Sequence, residues 1–496
     1  MIIPKMDYKS FINKKKKRTL FLFLVITYFS LYFVHVAKYT NNNDVLIYVS
    51  RALYNKPILD YAFLSAPTLS LQNLSPSPNY HLAHTVLLWL FYRILPGGLM
   101  ESIIPAGILS AFLGSLSVGM IFLVCMKMQI DKYPSFFIAI AAGFIPSIFF
   151  HSTIGEVYIP GLFAMLLFLY LFLSNRIFYS SLGFLLANLI SPVNGLSFSL
   201  YFMNSQKKKT LYKGIFIGAL AVALYFLTYY SFVKIDSIRG IFDAGHDYMK
   251  ERNNDLYIFA KNMWHGFLIF FLNIGPFGIF LIRGMKILAE ENRSLLKGIG
   301  IVLLAYIIRA VVFPVFLADN GCFFLLAFWC LSIPIGIGIS KSRQSYKYAV
   351  FVFIVMYVFT QIFWLMPKRR LGEDYFNAGV TLQGMELKDV KVMGPWKYAI
   401  GVVVGKYGLD LNKINAHYIE YDRPGEKQLW ESGEDALIIV EEKGKREEWK
   451  RMVYKYLMDK PMKNEILFDK RIKNGGIKKL METENICIYK WERIKQ

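Results

Sequence analysis

Asp44, Tyr48 and Arg51 follow the first long apolar run of the chain at spacings of four and three residues. If Asn43–Tyr54 coils as a helix, these i, i+4 and i+7 positions share one face. A carboxylate, a phenol and a guanidinium on one face can hold a hydroxyl, accept its proton and clamp a phosphate or carboxylate. The same spacing also arises by coincidence on a solvated surface helix. Asp60, in Leu59-Asp60-Tyr61, is a second carboxylate of the same polar segment. His81 and His84 follow Pro78-Asn79-Tyr80 and can face charged head groups or simply rest at a membrane interface.

Two further ionisable residues stand against apolar surroundings. Glu156 sits where an apolar run begins at Val157, five residues after His151. A carboxylate there requires a partner or water, and it also complements the positive end of a helix that starts at that point. Arg309 lies inside Tyr306-Ile307-Ile308-Arg309-Ala310-Val311-Val312-Phe313-Pro314. A guanidinium in that setting is costly unless paired. A lipid-linked phosphate, the carboxylate of Asp319, or snorkelling to the outer head groups would each satisfy it.

The elements that must position these groups are membrane spans. Of 496 residues, 55% are hydrophobic and 19% charged, against about 25% charged in soluble domains. Apolar stretches fall at Thr19–Ala37, Ser102–Met126, Pro134–Phe150, Val157–Ser174, Phe178–Ile190, Gly195–Met203, Leu211–Val233, Met263–Ile282, Leu296–Leu317, Gly321–Ser340 and Ala349–Met366. Two are short, and they flank Ser191-Pro192-Val193-Asn194-Gly195, a breaker that turns the chain at membrane depth as a re-entrant-like pair. Tyr80–Leu95 is too short to cross and amphipathic, so it is placed in the outer interface. The first run is longer than a signal-peptide core and is followed by no small-residue cleavage site.

The formal net charge is +22. Much of it lies in short loops, where the positive-inside rule accounts for it better than nucleic acid does. With Lys14–Arg18 in the cytoplasm, Lys127/Lys132, Arg176, Lys207–Lys209, Arg283/Lys286/Arg293/Lys297 and Lys341/Arg343/Lys347 all fall on the same side. The expected architecture is a polytopic α-helical membrane protein of about eleven spans, N-terminus inside and C-terminus outside. Residues 1–366 form its membrane domain, with a first external loop at 38–100 and a third external segment at Lys234–Asn262. Residues 367–496 form a small extracytoplasmic α/β domain. There, strand-like runs (Val390–Met393, Ile414–Tyr421, Ala436–Glu441, Ile466–Asp469, Ile486–Trp491) alternate with helical ones (Trp396–Lys406, Arg446–Leu457). The four cysteines have no metal-ligand spacing and imply no disulfide framework.

Three features together resemble the GT-C superfamily of membrane glycosyltransferases, in layout its protein O-mannosyltransferase and aminoarabinose transferase branch. They are Asn43-Asp44 opening the first external loop, Pro78-Asn79-Tyr80-His81-Leu82-Ala83-His84 before the next span, and Gly155-Glu156-Val157-Tyr158 at the outer start of a span. The paired prolines common before the His-like segment are replaced by Pro76-Ser77-Pro78. Only one acid stands where many protein mannosyltransferases carry two, which leaves the acceptor type open. No W-W-D-x-G motif of the oligosaccharyltransferases is present.

The resemblance implies a multi-pass protein of a prokaryotic plasma membrane, using a polyprenyl-phosphate sugar as donor. A protein, lipid or glycan hydroxyl would be the acceptor, and transfer would invert the anomeric centre. It implies Asp44 as catalytic base, Arg309 and Arg51 at the donor phosphate, and Tyr48, Asp60, His81, His84 and Glu156 in substrate binding. No cofactor follows from it; a divalent metal is left open, and no nucleic-acid partner is implied. A transporter or flippase for a lipid-linked sugar would also use Arg309 and the polar outer loops. A non-catalytic membrane scaffold would make Asp44 dispensable.

Overall fold

The computed structural model describes residues 8–38, 45, 49, 81–95, 102–204, 212, 216, 218–220, 223, 256–312, 321–341, 345–385, 387, 390–394, 396–409, 418–420, 436–442, 475–483 and 486–493. The expected span Leu211–Val233 falls almost wholly outside these residues. So do most of the external segment Lys234–Asn262 and the expected elements Ile466–Asp469 and Arg446–Leu457.

The chain divides into two compact units. The first comprises Met1–Val36, Pro78–Leu87 and Ala106–Trp364; the second comprises Ala37–Ser77, Leu88–Pro105 and Leu365–Gln496. In chain order the helices are α1 Tyr8–Val34, α2 Leu82–Ile94, α3 Ile104–Lys127, α4 Lys132–Phe144, α5 Pro146–His151, α6 Tyr158–Leu173 and α7 Ile177–Ile190. They continue with α8 Leu256–Ile274, α9 Gly278–Glu291, α10 Arg293–Val312, α11 Leu325–Ser340, α12 Ser345–Thr360, α13 Met366–Gln383 and α14 Trp396–Tyr407. Among the described residues, Lys16–Val34, Ile104–Lys127, Met263–Glu291 and Cys322–Ser340 are long and apolar enough to cross a bilayer. Leu22, Phe23 and Ile26 of α1 and Val350, Phe351 and Ile354 of α12 are exposed, as a lipid-facing surface requires. At 13 residues, α2 is about 20 Å long, short of the roughly 30 Å hydrocarbon core.

The expected span Pro134–Phe150 is not one helix. It breaks at Ile145, which is extended (φ −62°, ψ 124°), and resumes with Pro146 as the first residue of α5. Proline disfavours the α conformation in the residue before it and lacks an N–H, so it fits best at a helix start. The break would strand the Gly143 carbonyl and the Ser147 N–H, which would otherwise pair. Both find side chains from other spans. The Tyr32 hydroxyl donates to Gly143 O at 3.0 Å, and the Ser147 N–H donates to Asn273 Oδ1 at 2.8 Å.

A second correction concerns the short pair around Ser191. α7 ends at Ile190 as expected, and Ser191 is extended (φ −157°, ψ 128°). The run expected as a short helix over Gly195–Met203 is instead part of a 3₁₀ helix, Pro192–Asn204. The expected last span, Ala349–Met366, is α12 followed by a π-helical turn at Gln361–Leu365.

α11 is the core of the first unit, with every residue from Leu325 to Ile339 buried. It packs against α4 and α9 at backbone distance. A Cβ added to Gly284 would lie 1.7 Å from Pro334 O, and one added to Gly338 would lie 2.1 Å from Phe280 O. Small residues at such crossings let helices meet without a hydrophobic driving force between them.

The second unit carries a five-stranded sheet of order β2-β1-β3-β5-β4, with β1 Lys391–Gly394, β2 Tyr418–Glu420, β3 Ala436–Glu442, β4 Gly475–Glu482 and β5 Ile486–Arg493. β1 runs parallel to β2 and β3, and β5 runs antiparallel to β3 and β4. The segment β1–α14–β2 is thus a βαβ unit. Leu437 to Val440 of the central strand β3 are all buried, as a strand covered on both faces requires.

Gly284→Ala forces a methyl into the Pro334 carbonyl and is expected to destabilise the protein by roughly 1–3 kcal/mol. Gly278→Ala, with nothing within 4 Å of its added Cβ, is expected to stay within about 0.5 kcal/mol of wild type. Thermal midpoints in detergent check both.

Candidate active site

The first unit gathers the ionisable residues of four sequence-distant segments around the start of α6. His151 ends α5, and the turn that follows brings Glu156 back to it. Glu156 Oε2 lies 3.2 Å from His151 Nδ1, with side-chain exposures of 4% and 2%. The His151 ring also meets Tyr158 edge-on at 5.3 Å, and Tyr158 meets Phe323 edge-on at 5.4 Å.

Arg309 approaches the same ring from the other side. Its guanidinium lies 4.1 Å from the Phe323 centroid and 5.7 Å from that of Phe324, and the residue is buried. A cation over an aromatic face is favoured most when it is desolvated. Tyr306, one turn earlier on α10, is buried beside it. Tyr158, Ser191, Asn194, Tyr306, Cys322 and Phe323 line one small cleft. Thus Glu156 and Arg309, far apart in sequence, sit at two ends of one aromatic chain: His151, Tyr158, Phe323.

The two histidines before α2 are fixed differently. His81 Nδ1 lies 2.8 Å from Ile190 O, the last carbonyl of α7. A carbonyl only accepts, so Nδ1 carries the proton. The imidazole thereby satisfies a helix C-terminus left open by the Ser191 break. Asn194 Nδ2 donates at 2.8 Å to Ala187 O, which also accepts the Ser191 N–H. His84 is fully buried. Its pKa is pushed down to about 3, chiefly by burial and then by the nearby His81, against an opposing hydrogen bond with the Gly155 backbone. His84 is therefore neutral in the folded protein at ordinary pH.

Asp44, Tyr48, Arg51 and Asp60 lie outside the described residues, as does Asp319, the alternative partner considered for Arg309. Within Asn43–Tyr54, Val45 and Val49 are described; both are helical and buried. Among the described residues, no group of three or more His, Cys, Asp or Glu is placed to hold a metal ion.

Tyr158, Ser191, Asn194 and Tyr306 were not legible as site residues in the sequence. Tyr306 carried a signal, since it stands three residues before Arg309 and shares its helix face. Asn194 carried another, as the polar residue of the breaker. Tyr158 ends the Gly155-Glu156-Val157-Tyr158 motif and Ser191 opens the breaker, but no local pattern puts either in the cleft.

No protein-family model matches the chain, and no curated protein sequence matches it. Solved structures do. ArnT from Cupriavidus metallidurans, in its apo state, superposes over 95% of this chain and 97% of its own with a TM-score of 0.57 at 11% identity. The Archaeoglobus fulgidus oligosaccharyltransferase, tethered to an acceptor peptide containing the NVT sequon and in its apo form, superposes over 87% of this chain and 70% of its own at a TM-score of 0.49 and 10% identity in both cases. At 11% identity the first likeness is one of fold. The chain shares the fold of ArnT, and four of its described helices are long and apolar enough to cross a bilayer. Its likeness to ArnT runs over nearly the full length of both chains.

The depressed pKa of His84 makes stability depend on pH. Above about pH 6.5, the ordinary pKa, the ring is neutral in both folded and unfolded chains and adds no slope. Below it the unfolded chain binds a proton that the folded protein excludes, so stability falls by about 1.4 kcal/mol per pH unit until about pH 3. His84→Gln is expected to reduce the acid slope by about one proton. Thermal midpoints of purified protein between pH 7 and pH 4 check it.

Proposed function

We propose that this protein is a glycosyltransferase. It moves a sugar from a polyprenyl-phosphate-linked donor to a hydroxyl on a protein, lipid or glycan at the outer face of a prokaryotic plasma membrane. The observation that carries this reading is the ArnT-like fold over 95% of the chain, since ArnT is an aminoarabinose transferase. The buried guanidinium of Arg309 in an apolar span supports it, because a lipid-linked phosphate is the anion a membrane supplies at that depth.

In this reading the Asp44 carboxylate takes the proton of the acceptor hydroxyl. The acceptor oxygen attacks the anomeric carbon from the face opposite the phosphate and forms the new glycosidic bond. The bond between the anomeric carbon and the phosphate oxygen breaks, the configuration inverts, and the polyprenyl phosphate leaves with one more negative charge. Arg309 and Arg51 neutralise that charge as it develops. Tyr48, Asp60, His81, His84 and Glu156 serve substrate binding. His84 and Glu156 are buried and His81 is bonded to Ile190, so these three act by positioning the groups around them. In this reading no cofactor is assigned, and a divalent metal is left open.

Asp44→Asn preserves shape and removes the base. Sugar transfer by the purified protein in lipid is expected to fall by roughly 10²–10⁴ with the thermal midpoint and donor binding unchanged. Near-normal transfer would reject the role. A flippase or a scaffold gives no such selective loss.

The topology of this reading places the C-terminus and the 367–496 domain outside and Lys207–Lys209 inside. A cysteine placed near Gln496 is expected to react with an impermeant reagent in intact cells, and Lys208→Cys to be protected. The reverse pattern would remove the outer-face site.

A further inference from the structure

Two helices bring lysines together on the membrane face remote from Arg309. α1 and α3 pack antiparallel, in a register set by small residues of α3. A Cβ added to Gly107 would lie 2.6 Å from Val36 Cγ1, and one added to Gly119 would lie 2.7 Å from both Phe21 Cε2 and Val25 Cγ2. Continued past Gly119, this register puts Lys127, the last residue of α3, beside Lys17 of α1. The two ammonium groups are close enough to repel one another. Among the described residues neither forms an ion pair. Asp131, in the turn between α3 and α4, is exposed and reaches neither lysine.

The pair lies at the level of the lipid head groups. From Phe324, beside Arg309, the chain runs along α11 to Gly336, which abuts Ile138 of α4, about 18 Å along the axis. Phe136 of α4 meets Phe23 of α1 at 6.3 Å, and Lys17 stands more than a turn further from Arg309. The loop charges assign this face to the cytoplasm. Next to the pair, Leu22, Phe23 and Ile26 of α1 are exposed, a surface for hydrocarbon. Tyr133 is 67% exposed, with Lys132 Nζ 5.2 Å from its ring centroid. Tyrosine and lysine side by side belong to the boundary between hydrocarbon and water.

Two like charges on separate helices, with Lys17 half-buried, are costly without an anion between them. A phosphodiester offers one oxygen to each ammonium and turns the repulsion into two attractions. The cytoplasmic leaflet supplies that group on anionic lipids. A zwitterionic lipid brings its own cation, which competes with the lysines for the same phosphate. We propose that Lys17 and Lys127 form a binding site for the phosphodiester of an anionic phospholipid whose acyl chains meet the exposed apolar surface of α1. The bound phosphate ties α1 to α3 at the face opposite the candidate active site.

The test titrates phosphatidylglycerol into full-length protein in neutral detergent micelles and counts bound lipid by native mass spectrometry. Lys17→Gln and Lys127→Gln are each expected to weaken binding roughly fivefold, and the double variant roughly thirtyfold. Lys17→Arg/Lys127→Arg is expected to retain it. Lys16→Gln/Arg18→Gln removes two exposed charges of α1 and is expected to lose less than the Lys17/Lys127 double variant. Phosphatidylcholine is expected to bind weakly, and alike to wild type and double variant. Unchanged phosphatidylglycerol binding in the double Gln variant would overturn the site. An equal loss in the Lys16/Arg18 variant would also overturn it, since that marks a diffuse basic surface. Displacement of phosphatidylglycerol by inorganic phosphate at matching concentrations would assign the pair to a free anion and overturn the lipid. Where the double Gln variant does not fold, the single variants and the Arg pair decide the same question. Sugar transfer plays no part in these measurements, so the glycosyltransferase reading stands or falls separately.

Discussion

In hydrocarbon a backbone N–H or C=O without a partner costs several kcal/mol, and the first unit is organised around one place where the chain breaks that ladder. The Ile145-Pro146 junction frees a carbonyl and an amide inside the membrane domain. Tyr32 from α1 and Asn273 from α8 satisfy them. Two side chains separated by more than two hundred residues therefore pin one break. The break in turn lets α5 leave the direction of α4 and end at His151, from which the chain folds back to place Glu156 beside it.

The same logic recurs at the Ser191 break. Here the carbonyls at the end of α7 are met by His81 and Asn194. Polar side chains that look chemical in sequence are spent on backbone groups, and the chain gains an irregular segment, Pro192–Asn204, next to the cleft that Tyr158, Tyr306 and Phe323 share. Irregular backbone at membrane depth persists only where protein or a water-lined cavity covers it. Asn194 joins the Ser191 break to the site, since it bonds Ala187 O and also lines the cleft.

Arg309 and the His151–Glu156 pair both lie against aromatic rings. Arg309 lies over Phe323, and the His151–Glu156 pair abuts Tyr158, which abuts Phe323. On the lipid side, α8 exposes the rings of Trp264, Phe267 and Phe271, whereas α10 exposes the aliphatic Ile301, Leu304, Ile307 and Ile308, a difference of chemistry on two faces that see the same bilayer.

Local pattern suffices for most of the apolar segments, the end of α7 before Pro192, and the strands Ala436–Glu442 and Ile486–Arg493, but not for the break at Pro146. These depend on hydrophobicity, side-chain periodicity and the fixed dihedral of proline, which a linear reading contains. Such a reading misses α13, a polar helix whose signal is the buried set Tyr375, Ala378 and Leu382 at helical spacing. It also misses β4, an edge strand paired only with β5 and carrying Lys478 and Lys479, because edge strands lack the apolar alternation of central ones. Packing in three dimensions is what sets Glu156 against His151, His81 on Ile190 and Arg309 over Phe323, and what winds the chain after Ser191 as a 3₁₀ helix. Each of these joins residues from different spans or follows from how the spans pack. Which partner satisfies a buried polar group is a property of spatial proximity that no local pattern encodes.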